Sequence, residues 1–319
     1  MAVNSTFPNG FLNGVSIRNV PILQLHPGTV RWVNNSTVGN PGTDDLRSGS
    51  FRNPYRTLNY ASARCTASAG DILVIMPGHA ETISTATALT LSKAGIAVVG
   101  LGDGSLTPTF TLGTVVGATV NITAANISLM NLRFKANLAD ITSAITTTSA
   151  QHLKIVGCDF IDNSSILNFA RIIDTDATSN NMDGLTILNC NWYGKGATSN
   201  SCVIKMDGTN DRVTIKDCYF RHAAVTDAGL MPIATTKVVT NLIVDNNDML
   251  FTGATGATTG TMITTDTSTN TGIIKNNRIQ SLDATFEILV TASSGFVFFE
   301  NKSSAVADKS GYLLPAADA

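Results

Sequence analysis

The sequence predicts an all-β fold, a right-handed parallel β-helix of about eight coils with a short N-terminal capping helix, on three observations. The first is a nine-residue segment that keeps returning. It reads His152-Leu153-Lys154-Ile155-Val156-Gly157-Cys158-Asp159-Phe160, then Gly184 to Trp192 (GLTILNCNW), then Arg212 to Phe220 (RVTIKDCYF). Weaker copies run from Asn241 to Met249 and from Thr271 to Ile279, while Asn126 to Phe134 precedes the set and Gly295 to Ser303 closes it. The seventh positions are Leu132, Cys158, Cys190, Cys218, Asn247, Asn277 and Asn301, at separations of 26, 32, 28, 29, 30 and 24 residues. The second observation is another repeat lying between these copies. Ile145, Ile173, Ile204, Ile233, Ile263 and Ile288 mark β-branched segments at steps of 28, 31, 29, 30 and 25. Two such segments per period read as two strands of one coil, each paired in parallel with its counterpart one period on. A third, weaker strand is expected in the Asn- and Gly-rich connection. The third observation is the period, near 29 residues. A propeller blade of four strands takes about 40–50.

Taken in order, residues 1–34 stand outside the repeat. Phe7, Phe11, Ile22, Leu23 and Trp32 make this arm too apolar for a disordered tail, and it is too short for a core of its own. It is expected to bury those side chains against the side of the solenoid or against another subunit, the second being preferred. The β-helix proper is assigned to residues 35–302. Asn40 to Asp45 is a turn-rich loop. A helix is expected over residues 54–69, with Asn53 as N-cap, Pro54 at the first helical position and Gly70 past the end. Leu58, Ala61 and Cys65 share one face of it, which suits a cap over the open apolar end of a strand stack. Asp71 to Glu81 follows as a strand and turn, and Ile96 to Leu101 as the next coil. Asn247, Asn277 and Asn301 in register predict an asparagine ladder, amide bonded to amide from coil to coil at a turn. Residues 303–319 drop the repeat and form a tail that folds over the last coil or reaches a neighbouring subunit.

Composition narrows the function. Only 14% of residues are charged and the net charge is -2, which gives no electrostatic case for nucleic acid or an anionic membrane. No apolar run approaches the roughly 20 residues of a membrane span. The opening MAVNSTFPNG lacks a basic stretch followed by an apolar core, so synthesis in a cytoplasm without export is expected. The five cysteines, Cys65, Cys158, Cys190, Cys202 and Cys218, include no C-x-x-C pair. Three share a repeat column, where they read as small buried apolar residues. No histidine shares that column, so neither a metal site nor any other cofactor is expected. A disulfide between coils is not expected in a reducing compartment.

The stretch Asn40 to Ile83 resembles the opening of pectate-lyase-like β-helix proteins of tailed-bacteriophage virions. It carries their Gly-Thr loop (Gly42-Thr43), Pro-aromatic-x-Thr-Leu helix (Pro54 to Leu58), Gly-Asp strand (Gly70-Asp71) and Pro-Gly-x-x-x-Glu turn (Pro77 to Glu81). The resemblance implies the fold and a phage structural setting. It implies no activity, since that superfamily holds lyases, hydrolases and inert scaffolds alike.

A polysaccharide lyase of this fold would need several carboxylates holding Ca²⁺, with an Arg or Lys as base. A tailspike-type hydrolase would need two carboxylates about 5–9.5 Å apart in a groove. The candidates are Asp159, Asp162, Asp174, Asp176, Asp207, Asp211, Asp217, Asp245 and Asp248. Asp174 and Asp176 lie two apart on one strand with Asp207 on the next coil, the densest acidic cluster, and Arg171 and Lys205 on the same segments would neutralise it. The histidines, His26, His79, His152 and His222, are scattered, and His79 in the Pro-Gly-His turn reads as structural. Trp192, Tyr193 and Tyr219 on neighbouring coils offer a thin sugar-stacking platform. No catalytic, cofactor-binding or metal-ligating residue is therefore assigned. The expected function is a non-enzymatic virion protein, a capsid decoration or cementing subunit. It is expected to form a homotrimer and to be anchored to the major capsid protein or another virion protein through residues 1–34. The alternative is a tail spike or fibre that binds, and in one version cleaves, host surface polysaccharide.

Overall fold

In a computed structural model the described residues are 15–17, 20–22, 28–36, 40–195, 202–222, 229–232, 237–251, 260–264, 269–281, 286–289, 295–305 and 310–312. Three sheets run the length of the chain, with ten, ten and eight strands among those residues. The first starts at Val30–Val33 and ends at Gly295–Phe299, and the second starts at Ala80–Ile83. The third runs from Leu89–Leu91 to Phe286–Leu289. Apart from the last strand of the second sheet, the neighbours within each sheet are parallel, and along the repeat they lie one period apart, as in Lys154↔Thr186↔Thr214 and Phe134↔Phe160↔Trp192. This is an all-β parallel β-helix.

Two readings of the coil are corrected. The nine-residue segment holds two strands, not one. Ser128–Met130 and Arg133–Ala136, for example, lie in the first and second sheets with Asn131 and Leu132 between them. The third strand is therefore not in the connection, where the described pairing is the short Asn210↔Val239 and Asp211↔Thr240 ladder. In the third sheet the isoleucine column holds at Ile145↔Ile173↔Ile204, but beyond it Ile263 is flanked by Met231 and Leu289. Ile288 is one residue out of register, and Ile233 lies outside the described residues. Each has an apolar residue close by, so alternation alone did not fix the phase.

The corner between the first two sheets explains the seventh column. The residue before it is left-handed in every copy: Asn131, Gly157, Asn189, Asp217, Asn246, Asn276 and Glu300 have φ between 51° and 60°. Gly and Asn reach that region at low cost, so two residues turn the chain and aim the next side chain inward. Leu132, Cys158, Cys190, Cys218, Asn247, Asn277 and Asn301 are all buried. The asparagine ladder is present. Asn277 Nδ2 donates to Asn301 Oδ1 at 2.9 Å and to the Val244 carbonyl at 3.0 Å, and its Oδ1 accepts from Asn247 Nδ2 and N at 3.0 Å each. Both donors and both lone pairs of that buried amide are used. The cysteines continue the pattern, with the Cys190 N–H directed at Cys218 Sγ at 3.4 Å. All five cysteines are free and buried. Inside the second sheet Phe110, Phe134 and Phe160 stack at 5.9 and 5.2 Å, and Trp192 and Phe220 extend the column. Such contacts add about 0.5–1.5 kcal/mol each beyond burial.

The N-terminal end is closed as expected, by a shorter helix. It spans Leu58–Ala63, packs on Val30–Val33, Ile72–Ile75 and Leu89–Leu91, and buries Leu58 and Ala61, with Cys65 buried just beyond it. Its N-cap is Thr57, whose side chain accepts from the Tyr60 N–H at 3.3 Å, not Asn53. Pro54 and Tyr55 are extended because Tyr55 bonds across to Trp32 and Asn34. Three carboxylates tie this cap together. Asp44 accepts from Arg56 N, Thr57 N and Thr57 Oγ1. Buried Glu81 accepts from Leu58 N at 2.9 Å and from His79 Nε2 at 3.1 Å, and His79 Nδ1 takes the Asn35 N–H at 2.8 Å. With its Nδ1 accepting, His79 is the neutral Nε2–H tautomer and structural. Asp71 binds Thr29 N, Thr66 N and Arg31 Nη1 at 2.7–2.8 Å.

The arm boundary also moves. Val30–Val33 is the first strand of the first sheet, so the β-helix begins before residue 35. Trp32 sits edge-to-face on Phe51 at 5.0 Å and joins Ile72, Val74 and Val99 on the outer side of that sheet. Val15–Ile17 and Val20–Ile22 form an antiparallel pair, while Phe7, Phe11 and Leu23 lie outside the described residues. At the other end Lys302–Ala305 belongs to the second sheet, and Ser310–Tyr312 folds back against it antiparallel. The tail thus covers a sheet edge, and residues 313–319 lie outside the described residues.

Two outcomes follow from this packing. Cys190→Asp places an unpaired charge in the column and is expected to cost about 3–5 kcal/mol, read as a fall in urea midpoint. Burial opposes the charge on Asp71, but the Thr66 and Thr29 amides and the Arg31 guanidinium together hold its carboxyl below the usual range. Its contribution is then complete above the unfolded carboxylate value, about 3.9, and lost as pH falls through the lowered folded value. Asp71→Asn is expected to lower Tm at pH 7, by a margin that shrinks below about pH 4.

Candidate functional site

The acidic trio of the third sheet is not one site. Its strand is Arg171–Thr175, so Asp174 points outward from the sheet while Asp176 lies beyond the strand end. Asp176 Oδ1 caps the Thr178 N–H at 2.9 Å, and both its oxygens accept from Asn181 Nδ2 at 3.1 Å. Asp174 pairs with Arg171 at 2.9 Å, and Asp207 with Lys205 at 2.7 Å. Asp174 and Lys205 are register partners, so the cluster is two neutralised pairs side by side. Burial pushes the Asp174 carboxyl up, against the pull of Arg171 and Lys205.

The other aspartates are likewise engaged. Asp162 is buried and accepts from Phe169 N at 3.0 Å and Lys195 N at 2.8 Å. Asp159 pairs with Arg133 at 3.3 Å and accepts from Asn191 Nδ2 at 3.1 Å. Asp217 takes the Asn246 amide, and Asp245 takes that of Asn276 with Lys216 and Lys275 nearby. Asp211 binds Thr240, Asn241 and Arg212, and Asp248 binds Arg278. Most of these partners come from an adjacent coil. Burial also pushes up the thiols of Cys65, to about 11, and Cys202, to about 12. Burial does the same to Cys190, and a hydrogen bond with Cys190 to Cys218. Protonated thiols in a core are poor nucleophiles. Among the described residues no group of three or more His, Cys, Asp or Glu is placed to hold a metal ion. Among them no helix is long and apolar enough to cross a membrane.

The aromatic platform divides. Trp192 faces the core, at 1% exposure, because it shares the inward register of Phe160. Tyr193 and Tyr219 remain on the outer face of the second sheet, their rings 6.0 Å apart, beside Arg133, Asp159 and Asn191. Their spacing follows from strand alternation, which puts position nine inside and positions eight and ten outside.

One recess was not read from the sequence as a site. On the outer side of the first sheet Asn126, Ser128, His152 and Lys154 line a cavity of about 380 Å³. Asn126 and His152 are the left-handed residues that begin two successive copies of the nine-residue segment, both with φ 58°. Ser128 and Lys154 are register partners. Identical positions on successive coils necessarily adjoin, and that spacing was the available signal. His26 lies outside the described residues, and only the backbone of His222 is described.

No protein-family model and no curated protein sequence matches the chain. Among solved structures it is similar to one described as a rhamnogalacturonan lyase, with 14% identity, 90% of each chain covered and a TM-score of 0.45. A likeness of that order is silent on activity, and the fold stands on the strand pairing above. Because burial disfavours the Asp174 charge, Asp174→Asn is expected to leave Tm at pH 7 unchanged or slightly higher. A marked fall in Tm is the contrary result.

Proposed function

We propose that the chain is a non-enzymatic structural protein on the surface of a tailed-phage particle, a capsid decoration or cementing subunit. In this reading residues 1–34 anchor it and it associates as a homotrimer. The observation that carries the reading is the use made of the acidic side chains. Asp44, Asp71 and Glu81 hold the cap. Asp159, Asp162, Asp211, Asp217 and Asp245 stitch one coil to another. Carboxylates spent in this way build a rigid body. The resemblance of Asn40 to Ile83 to the opening of virion β-helix proteins supplies the setting. Support for self-association comes from the last coils, where Ile243, Ile273 and Val297 form an outward ladder, 38%, 39% and 56% exposed, beside exposed Phe299. A contiguous apolar strip of that kind suits an interface with another copy, and closed symmetry is the rule for homo-oligomers.

The second reading, a tail spike or fibre that grips host glycan, is favoured by Tyr193 and Tyr219 on the outer face of the second sheet. The polar groups beside the two rings suit a sugar's hydroxyls while the rings take its apolar face.

Locating the chain on intact particles, by gold-labelled antibody or a low-resolution reconstruction, separates the two. Many copies spread over the head are expected. A few copies at the tail tip would overturn the decoration reading and make Tyr193→Ala the first variant to test for glycan binding. A chain lacking residues 1–27, which spares the Val30–Val33 strand, is expected to fold with unchanged Tm yet no longer join particles.

A further inference from the structure

We infer that the recess lined by Asn126, Ser128, His152 and Lys154 is a binding site for an oxyanion, a phosphate or carboxylate group carried by a larger molecule. The inference is independent of the virion reading.

The first ground is what these side chains are. All four can donate hydrogen bonds, one is a cation, one becomes a cation on protonation, and no carboxylate lines the recess. The second is that they are unused. Elsewhere Arg31, Arg133, Arg171, Lys205, Arg212, Lys216, Lys275 and Arg278 each meet an aspartate. Among the described residues the side chains of Asn126, Ser128, His152 and Lys154 have no hydrogen-bond or ion-pair partner. The acidic residue closest in sequence on the following coil, Asp183, turns its Oδ1 to the Asp211 N–H at 2.7 Å.

The third ground is the seating of the imidazole. Gly184 follows His152 at the same position one coil on, with φ 74°. A Cβ there would lie 2.3 Å from His152 Nδ1 and 3.0 Å from Cε1. The absence of a side chain makes room for the ring against the backbone, which limits its rotamers. Lys154 projects from the same strand entry two residues on, and Asn126 and Ser128 repeat the pair one coil earlier. Two rows of two donors, one strand spacing apart at about 4.8 Å, can converge on one anionic group from two sides.

The test is titration of the full-length protein with inorganic phosphate and separately with acetate, followed by calorimetry and by the His152 imidazole resonances. Saturable binding is expected, weakened at least tenfold in Lys154→Ala and in His152→Ala. Both positions are exposed, so each variant is expected to keep the parent Tm. Tighter phosphate than acetate would identify a phosphate-bearing ligand, and the reverse a carboxylate-bearing one. Linear heats without saturation, or binding that survives both substitutions, would overturn the assignment.

Discussion

Most of this fold rests on the corner between the first and second sheets being made the same way in seven successive coils, from Asn131 to Glu300. A left-handed residue turns the chain in two steps, and the side chain after it enters the core. If that corner slipped by one residue, both strands beside it would exchange their inner and outer faces. The left-handed Asn131 to Glu300 series therefore sets the register of the phenylalanine stack inside and of every charged column outside. The buried column then locks successive corners together, by apolar contact at Leu132, through the three thiols, and by amide hydrogen bonds from Asn247 onward.

The ends of such an array need separate solutions. At the start, a short helix would expose its first amides were they not taken by Thr57, Glu81 and their neighbours. Buried Glu81 is tolerable because His79 and Leu58 share its charge, and Asp71 because Arg31 and two amides surround it. At the other end an antiparallel strand covers the edge of the second sheet. This contrast in chemistry explains why the motif-rich opening carries the family resemblance while the later coils share only a pattern.

Much of this was legible from spacing. The seventh column, the asparagine ladder, the parallel pairing and the buried face of the capping helix all follow from repeats. What failed is instructive. The sixth column, Asn131, Gly157, Asn189, Asp217, Asn246 and Asn276, is a run of turn residues that divides the nine-residue segment, yet apolar residues on both sides made it look like one strand. Leu289 displaced Ile288 because adjacent apolar residues leave the phase of a short strand open. Asp176 left the acidic trio because one residue beyond a strand end is enough to redirect a side chain. The oxyanion recess escaped because it belongs to two coils, and each half of it is unremarked alone.

The corner hydrogen bonds also have a direction in time. The amide of Cys218 is satisfied by Asn247, that of Asn247 by Asn277, and that of Asn277 by Asn301, always a residue 24–30 places later. A chain emerging from the ribosome therefore presents each finished coil with an unanswered donor until the next has been made. A chain halted midway would stop with its newest corner open.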